Sequence, residues 1–509
     1  MKKTILALLL AGTFAGGSLP VWCASSFNDL QRQAKSGEAK AQLELGYRYF
    51  QGNDTAKDLH QALSWFRRAA EQGYIPAQYV LGLRYANGEG VAQDYVLAAE
   101  WYRKAAVKRL PQAQQKLAVL YHQGRGVEAD SHEAVKWHSK AATQGLSNAQ
   151  LSMGYAYLQG DGIAKDYVMA LEWYRKSAAQ GNAEACNQLG VMYIQGLGVK
   201  RDPAAAAEWY RKAAEKGYDV AQSNLGSLYY KGEGVDKDHE LASFWYLKSA
   251  SQGFSDAQNS LASLYYHGEG VEQDYVQARE WYLKAAAQGD ASAQDSLGIL
   301  YERGLGVEPN LQQALAWYRE SAAQNYARGQ INVGTMYLNG SGVAQDYAQA
   351  REWFGKAAEQ GNSAAQHLLG YLYDKGLGGE KDAQQALALY CKSAEQGNKI
   401  GQFRLAELYT SGTEGVAYNR EQAIIWYSKA AEQDDPHAQV NLGALYGHGT
   451  KEEQRKAVGL YRKAAEKGLS VGQYNLGYVY LYGKGVEKDE AQAAIWVRKA
   501  AEQELSDAQ

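Results

Sequence analysis

The sequence predicts an all-α fold, a solenoid of about thirteen helix-loop-helix repeats of 36 residues each, on three observations. A Gly, in most copies the second residue of a Leu-Gly pair, recurs with this period, as at Gly46 and Gly82, and Ala replaces it in three copies. A Tyr stands three residues later in all thirteen copies, from Tyr49 to Tyr480. A Trp recurs on the same period in eleven copies, from Trp65 to Trp496. A fixed period of this length indicates stacked structural units and not one closed globule.

The first half of each repeat is expected to form a helix with one apolar face. In residues 39–74, Ala41, Leu45 and Tyr49 follow the i, i+4, i+8 spacing of such a face. Gly46 leaves room for the close approach of a neighbouring helix. Gly52 stands where a left-handed C-terminal cap is often needed, so we expect the first helix to end there.

A short loop and a second helix complete each repeat. In most copies the loop reads Gly-x-Gly-Val-x-x-Asp, as in residues 88–94, and its Asp is placed to cap the second helix. The same position is held by Asp58, Asp94, Asp130, Asp166, Asp202, Asp238, Asp274, Asp346, Asp382 and Asp489, with Asn310 and Asn419 as substitutes. The second helix carries a broad apolar stripe of Ala62, Trp65, Phe66, Ala69 and Ala70. A Gly ends it in most copies, while Arg109, Asn325, Asp434 and Glu504 replace that Gly.

The two ends and the organisation of the chain follow from this register. Residues 1–25 resemble a signal peptide with a basic start and a short apolar stretch, which predicts an exported protein. Residues 26–38 align with the end of a second helix and are expected to form an N-terminal half-repeat cap. The repeats of the single solenoid are then expected over 39–505. Residues 506–509 match the opening of a further, incomplete repeat, so we expect a truncated, frayed or self-associating C-terminal end.

Charge, cysteine content and motifs exclude several classes of function. A net charge of −3 without a basic block argues against nucleic-acid binding. No apolar segment of the mature chain is long enough to span a membrane. Only Cys186 and Cys391 would remain after signal removal, and their separation predicts two free thiols. No catalytic or phosphate-binding motif is present, and no cofactor or metal is expected. The trio His122, His132 and His138 is the one weak candidate for a metal site.

The motifs resemble those of the Sel1-like repeat family, which is related to the tetratricopeptide repeat. They are Ala-Gln-x-x-Leu-Gly-x-x-Tyr, Gly-x-Gly-Val and Ala-x-x-Trp-Tyr-x-Lys-Ala-Ala-x-x-Gly, and they recur over residues 39–508. The resemblance implies a right-handed all-α solenoid that acts as a protein-interaction scaffold and not as an enzyme.

The resemblance also implies a class of partner. The leader and the run of residues 37–52 resemble exported family members that bind host immunoglobulin A, so a host secreted protein is the expected partner. An envelope protein is the alternative, with the chain as a periplasmic assembly adaptor. Cysteine-rich relatives have been credited with β-lactam binding or hydrolysis. This chain lacks their regular cysteine pairs and any Ser-x-x-Lys motif, which disfavours that enzymatic alternative.

The predicted binding surface is the side of the first helices that carries the positions equivalent to 43, 44, 47, 50 and 51, which vary most between repeats. In a tetratricopeptide-like solenoid this side is concave. Large aromatic residues are frequent there, and such residues are favoured anchors of protein interfaces. The candidate binding residues are Tyr47, Phe50, Tyr79, Tyr155, Tyr230, Tyr266, Tyr371, Phe403, Tyr474, Tyr478 and Tyr482. The alternative is that these side chains pack between neighbouring helices or cover the groove.

Overall fold

The computed structural model describes residues 26–412 and 415–507, and every regular element in these ranges is an α-helix. The 27 helices confirm the all-α fold class. The proposed signal peptide, residues 1–25, lies outside the described residues. The helices fall into two compact units, Met1–Lys237 and Asp238–Gln509.

The helices of the first unit alternate between the first and second helices of successive repeats, after an initial helix that belongs to no full repeat. They are α1 (Phe27–Lys35), α2 (Ala39–Gln51), α3 (Leu59–Glu71), α4 (Ile75–Asn87), α5 (Tyr95–Val107), α6 (Pro111–Gln123), α7 (Ser131–Thr143), α8 (Ser147–Gln159), α9 (Tyr167–Ala179), α10 (Ala183–Gln195), α11 (Pro203–Ala214) and α12 (Asp219–Lys231). Even numbers are therefore first helices, and odd numbers from α3 onwards are second helices.

The second unit continues the same alternation. Its helices are α13 (His239–Ser251), α14 (Ser255–His267), α15 (Tyr275–Ala286), α16 (Ala291–Arg303), α17 (Leu311–Ala323), α18 (Ala327–Asn339), α19 (Tyr347–Glu359), α20 (Ser363–Lys375), α21 (Ala383–Glu395), α22 (Lys399–Ser411), α23 (Arg420–Glu432), α24 (Pro436–Gly447), α25 (Lys451–Glu466), α26 (Ser470–Tyr482) and α27 (Glu490–Asp507). Within each unit consecutive helices pack against one another, and some first helices of adjacent repeats, such as α16 and α18, also touch directly.

The helix ends are set by the residues that the repeat pattern singles out. Gly52 ends α2 in the left-handed conformation with φ of 75°, and the side chain of Asp58 caps α3 by accepting a hydrogen bond from the backbone N–H of Gln61. The predicted substitutes Arg109, Asn325 and Asp434 also take positive φ. Glu504 does not, because α27 continues through Asp507, so the prediction of a helix end at Glu504 is wrong. A glutamate prefers the right-handed conformation, and here it keeps it.

The core within each unit is formed where the apolar stripe of a second helix meets the Gly of its first helix. Phe66 is fully buried, and a Cβ placed on Gly46 would lie 2.5 Å from its ring. The same contact recurs between Gly154 and Tyr174 and between Gly298 and Tyr318. The missing side chain therefore lets the aromatic ring of the second helix lie directly on the first helix.

A glutamine network, which was not predicted from the sequence, joins successive repeats within a unit. Gln150 donates from Nε2 to the carbonyl of Ala142 at the end of the preceding second helix, at 3.2 Å. Its Oε1 accepts from Nε2 of Gln180, at 2.7 Å, and Gln180 donates in turn to the carbonyl of Gly145. The equivalent of Gln150 is a buried Gln in most repeats, and Cys186 takes its place in one. The pair Gln150 and Gln180 therefore links the end of one second helix to the end of the next.

Helix α1, which precedes the first full repeat, packs on α2. Leu30 and Ala34 of α1 are almost fully buried, as expected of a half-repeat packed on α2, and the role of this segment as a cap stays a prediction.

The loop before α25 is short, and α25 starts a turn earlier than other second helices. Thr450 and Glu453 form a reciprocal capping box there, which was not predicted from the sequence.

The two cysteines of the described chain, Cys186 and Cys391, are both free, as predicted. Cys186 is buried, and burial raises the pKa of its thiol. None of the described helices combines the length and apolar character needed to cross a membrane. The division of the chain into one continuous solenoid with terminal segments remains a prediction.

Candidate protein-binding face

The candidate site is the first-helix face, which we define as repeat positions 43, 44, 47, 50 and 51 on the even-numbered helices, counted as in the first repeat. Position 43 is buried in many repeats, as at Asn187 and Asp295, whereas positions 44, 47, 50 and 51 are partly or fully exposed in most repeats. The structure divides the predicted aromatic residues into a packed group and an exposed group. Eight of the eleven are packed, and the three on α26 are exposed.

Among the packed aromatic residues of the first unit, Tyr47 and Tyr79 contact second helices and Phe50 contacts the next first helix. The ring of Tyr47 meets Phe66 edge-on, with centroids 5.2 Å apart, and burial raises the pKa of Tyr47 to about 12. Tyr79 is only 8% exposed and packs against Tyr102, so it contributes to the core. The ring centroid of Phe50 lies 4.2 Å from Cζ of the Arg84 guanidinium, in a cation–π contact. These contacts favour the packing alternative for Tyr79 in particular.

Tyr155 combines packing with a polar contact across neighbouring first helices. Its ring lies edge-on to Tyr174, with centroids 5.6 Å apart. Its hydroxyl donates to Oε1 of Glu184 at 2.9 Å and accepts from Nε2 of Gln188 at 2.7 Å. Burial, followed by the hydrogen bond and charge of Glu184, raises the pKa of Tyr155. Tyr230, in the same unit, is half-buried.

Three more packed candidates lie on the first helices of the second unit. The ring centroid of Tyr266 lies 5.3 Å from that of Tyr275. Phe403 is edge-on to Tyr427 at 5.7 Å, and the guanidinium of Arg404 lies 5.8 Å from the ring of Tyr371. All three candidate rings are half-buried, so each still presents an edge to solvent.

The exposed group is the aromatic stripe, which consists of Tyr474, Tyr478 and Tyr482 on α26. These side chains are 56%, 38% and 60% exposed, at spacings of four residues along one side of the helix. The rings of Tyr478 and Tyr482 contact each other with centroids 4.7 Å apart. Lys484 donates to the hydroxyl of Tyr478 at 3.2 Å. The stripe is therefore the part of the predicted site that can contact a partner without rearrangement.

A polar pocket on the first-helix face of the second unit was not predicted from the sequence. It has a volume of about 280 Å³ and lies among α14, α16 and α18, with Tyr282 of α15 at its base. Its lining consists of Asn259, Ser263, Tyr266, His267, Tyr282, Ser292, Ser296, Ile299, Arg303 and Arg328. A signal was present in the sequence, because Ser263 stands at repeat position 47, where Tyr47, Tyr155 and Tyr371 carry large rings.

A buried carboxylate lies next to this pocket. Asp295 is fully buried at repeat position 43, where Asn187 and Asn259 stand in two other repeats. Its Oδ1 accepts from Nδ2 of Asn332 at 2.7 Å, and its Oδ2 forms an ion pair with Nε of Arg328 at 2.9 Å. Burial raises the pKa of Asp295, and the charge of Arg328 opposes that shift.

The second helices present a different surface. A Lys lies over the ring of the repeated Trp three residues earlier, as Lys104 does over Trp101 at 3.8 Å. Helix α13 departs from this polar pattern, because Leu241, Phe244 and Leu247 are each at least 40% exposed. This apolar group provides a comparison surface of similar character to the aromatic stripe.

The histidine trio shows no metal-site geometry. No group of three or more metal-binding side chains occurs among the residues that the structure describes. Nδ1 of His122 lies 3.1 Å from a carboxylate oxygen of Asp161. His138 is buried in the core of α7, and burial lowers its pKa to about 4.

The repeats match a known protein family. The model of the family described as the Sel1 repeat matches thirteen times. The matches cover residues 39–74, 75–106, 111–146, 147–182, 183–218, 219–254, 255–290, 291–326, 327–362, 363–398, 400–435, 436–469 and 470–505. The number of repeats and the resemblance expected from the motifs are thereby confirmed.

Among curated proteins, the secretory immunoglobulin A-binding protein EsiB of Escherichia coli O6:H1 strain CFT073 is 62% identical over 68 residues. This match spans 13% of the present chain and 14% of EsiB.

Two solved structures are similar over larger parts of the chain. The crystal structure of c5321, a protective antigen of uropathogenic Escherichia coli strains with an SLR fold, is 46% identical, with a TM-score of 0.73. That match covers 89% of this chain and 97% of the other. A Sel1 repeat protein from Oxalobacter formigenes is 35% identical over 48% of this chain and 96% of its own, with a TM-score of 0.45.

Proposed function

Because this chain belongs to the Sel1 repeat family, we propose that it is an exported, non-enzymatic scaffold that binds a host secreted protein such as immunoglobulin A. The binding surface in this proposal is the first-helix face. The observation that carries the proposal is the similarity to the c5321 antigen, which extends over nearly the whole length of that protein. The local similarity to a secretory immunoglobulin A-binding protein supports the choice of partner.

The chemistry of the first-helix face supports a role in protein recognition. The aromatic stripe offers three exposed tyrosines on one helix, and tyrosine buries a large area at a low cost in side-chain entropy while keeping a polar tip. The residues that pack the repeats recur, whereas the first-helix face differs from repeat to repeat. A surface that varies on a constant framework is suited to the recognition of one particular partner.

The direct test is a binding measurement with the chain from residue 26 onwards, captured on a surface and exposed to secretory immunoglobulin A. We expect saturable binding with a Kd of about 1 µM or tighter, which corresponds to about −8 kcal/mol. Serum albumin and monomeric serum immunoglobulin A serve as comparison proteins. A response to secretory immunoglobulin A no larger than that to albumin contradicts the proposed partner.

The place of the protein in the cell is tested separately. On intact cells that express the full chain, added protease is expected to digest a protein displayed at the surface. Complete protection until the outer membrane is opened contradicts surface display and favours the alternative role as a periplasmic assembly adaptor.

Self-association through the C-terminal end is a further expectation from the sequence, and it can be tested separately. The surfaces available for it are the last helix α27, on which Ile495 and Val497 are exposed, and the aromatic stripe on α26. Sedimentation velocity over a range of concentrations separates the two uses of the stripe. A concentration-dependent dimer that is lost when Tyr478 is replaced by Ser indicates self-association, whereas a monomer at all concentrations leaves the stripe to a different protein.

A further inference from the structure

The polar pocket lies where repeat position 47 carries the small residue Ser263, whereas Tyr47, Tyr155, Tyr371 and Tyr478 carry a ring at this position. Tyr155, at repeat position 47, lays its ring on the buried Tyr174 of its own second helix. At the same position Ser263 leaves the equivalent space above Tyr282 open. Ser263 and Ser296 line the pocket next to Tyr282. The pocket therefore has hydroxyl groups near its base and an open side towards the first-helix face.

The lining of the pocket carries positive charge and hydrogen-bond donors but no acidic side chain. Arg303 of α16 and Arg328 of α18 both border it, and both side chains are exposed. Asn259 and Ser292 add an amide and a hydroxyl. This combination fits a planar carboxylate, because a guanidinium can bind both oxygens and the hydroxyl and amide groups can donate to either.

Two acidic groups near the pocket already have partners. Asp295 is fully buried behind it and is held by Asn332 and Arg328. Glu302 accepts a hydrogen bond from the hydroxyl of Tyr318 at 2.6 Å. The pocket is thus lined by two guanidinium groups, of which only Arg328 has a carboxylate partner, so an additional negative charge complements it.

We propose that this pocket binds the carboxylate of a glutamate or aspartate side chain presented by the protein partner. This inference rests on the proposed function as a protein-binding scaffold. The volume of about 280 Å³ lies just below the range of about 300–1,000 Å³ that is usual for sites of whole small-molecule ligands. The pocket accommodates an acidic side chain, whose charge complements Arg303 and Arg328, and the first-helix face around the pocket contacts the rest of the partner.

The test uses blocked peptides as probes. N-acetyl-Gly-Glu-Gly-amide and N-acetyl-Gly-Gln-Gly-amide are titrated against the chain from residue 26 onwards and followed by saturation-transfer NMR. We expect saturable binding of the Glu peptide, weakened by added salt, and at least tenfold weaker binding of the Gln peptide. Equal binding of the two peptides overturns the proposal. N-acetyl-triglycine, with a free terminal carboxylate, tests the other source of this group, and tighter binding of that probe overturns the assignment to a side chain.

Three variants assign the binding to this pocket. Ser263→Tyr places in the pocket the residue that other repeats carry at this position, so we expect a folded protein that has lost the Glu peptide. Arg303→Gln removes the guanidinium without a carboxylate partner and is expected to weaken binding at least tenfold. Asp295→Asn introduces the residue that stands at position 43 in two other repeats, and it releases Arg328 from its ion pair. Tighter binding by this last variant is therefore expected.

Each variant is checked by circular dichroism and thermal unfolding. Undiminished binding of the Glu peptide to folded Ser263→Tyr overturns the proposal, and so does weaker binding to folded Asp295→Asn. Failure of the pocket and failure of the partner assignment are distinguishable. If the Glu peptide binds and immunoglobulin A does not, only the assignment of the partner is wrong. If immunoglobulin A binds the wild type and Ser263→Tyr equally and the peptide does not bind, only the proposal for the pocket is wrong.

Discussion

Gly154 of α8 lies so close to the ring of Tyr174 on α9 that a Cβ at position 154 would stand 2.3 Å from Cε1 of that ring. Tyr174 is fully buried, so its ring can move only by displacing its neighbours. We predict that Gly154→Ala lowers the free energy of unfolding by about 1 kcal/mol, because the overpacking cost of about 1–3 kcal/mol exceeds the gain in helix propensity of about 1 kcal/mol. Urea unfolding followed by circular dichroism measures this change.

A matched glycine provides the control. Gly459 lies within α25 and has no atom within 4 Å of its added Cβ. There the same substitution is expected to stabilise the protein by about 0.5–1 kcal/mol. An equal gain in stability from both substitutions contradicts the steric role of Gly154.

The glutamine network predicts a loss of stability on removal of one member. Gln258 donates to the carbonyl of Ala250 at 3.1 Å and accepts from Gln288 at 2.8 Å. Gln258→Leu leaves both groups without that partner, at a cost of about 1–3 kcal/mol in the free energy of unfolding. Gln312→Leu, at an exposed position of α17, is the control and is expected to change stability by less than about 0.5 kcal/mol. If the two variants unfold at the same urea concentration, the network contributes nothing.

The contribution of helix capping by the loop aspartate can be measured separately from the effect of its negative charge. Oδ1 of Asp166 accepts hydrogen bonds from the backbone N–H groups of Val168 and Met169, at 2.9 and 3.0 Å. Asp166→Ala is expected to cost about 1 kcal/mol of unfolding free energy. Asp166→Asn keeps the accepting oxygen, as Asn310 does at the same position, and is expected to stay near the wild type. An equal loss in both variants assigns the effect to charge and contradicts the capping account.

Acid sensitivity is predicted from the buried imidazole of His138. Burial first, and the charge of His122 second, lower its pKa to about 4. The unfolded chain takes up this proton near the ordinary pKa of about 6.5, so the contribution of His138 is present above pH 6.5 and is lost as the pH falls towards 4. Substitution of His138 by Phe, the residue at the equivalent positions 66 and 354, removes this dependence.

Urea midpoints measured from pH 7 to pH 4 check this prediction. The wild type is expected to lose more stability than His138→Phe over this range. His367, whose pKa burial also lowers to about 4, titrates in both proteins and leaves a common residual slope. Parallel profiles for the two proteins contradict the assignment to His138.

The features of the fold that depend on local sequence were predictable. The 36-residue period placed the helix pairs, and the caps at Gly52 and Asp58 followed because each depends on a few neighbouring residues. The glutamine network was missed, although a Gln recurs at position 42 of nearly every repeat. Its partners lie on the preceding second helix and at the end of the following one, so the pattern alone does not reveal them.

The binding surface was less predictable than the fold. Tyr79 and Tyr474 occupy the same repeat position, yet one is 8% exposed and the other 56%. Repeat position therefore does not determine exposure, which depends on the side chains and helices that surround each copy. The polar pocket lies at the small residue Ser263. A small residue in a sequence does not show which side chains of neighbouring helices surround it, so the pocket could not be predicted.

The most direct test of the account compares the two helix surfaces in binding to secretory immunoglobulin A. One variant carries Ser in place of Tyr474, Tyr478 and Tyr482, and the other carries Ser in place of the exposed Leu241, Phe244 and Leu247 on second helix α13. We predict that the first variant loses at least tenfold in affinity, about 1.4 kcal/mol, while the second stays close to the wild type. Loss confined to the α13 variant, or unchanged affinity in both, would contradict the first-helix face as the binding surface.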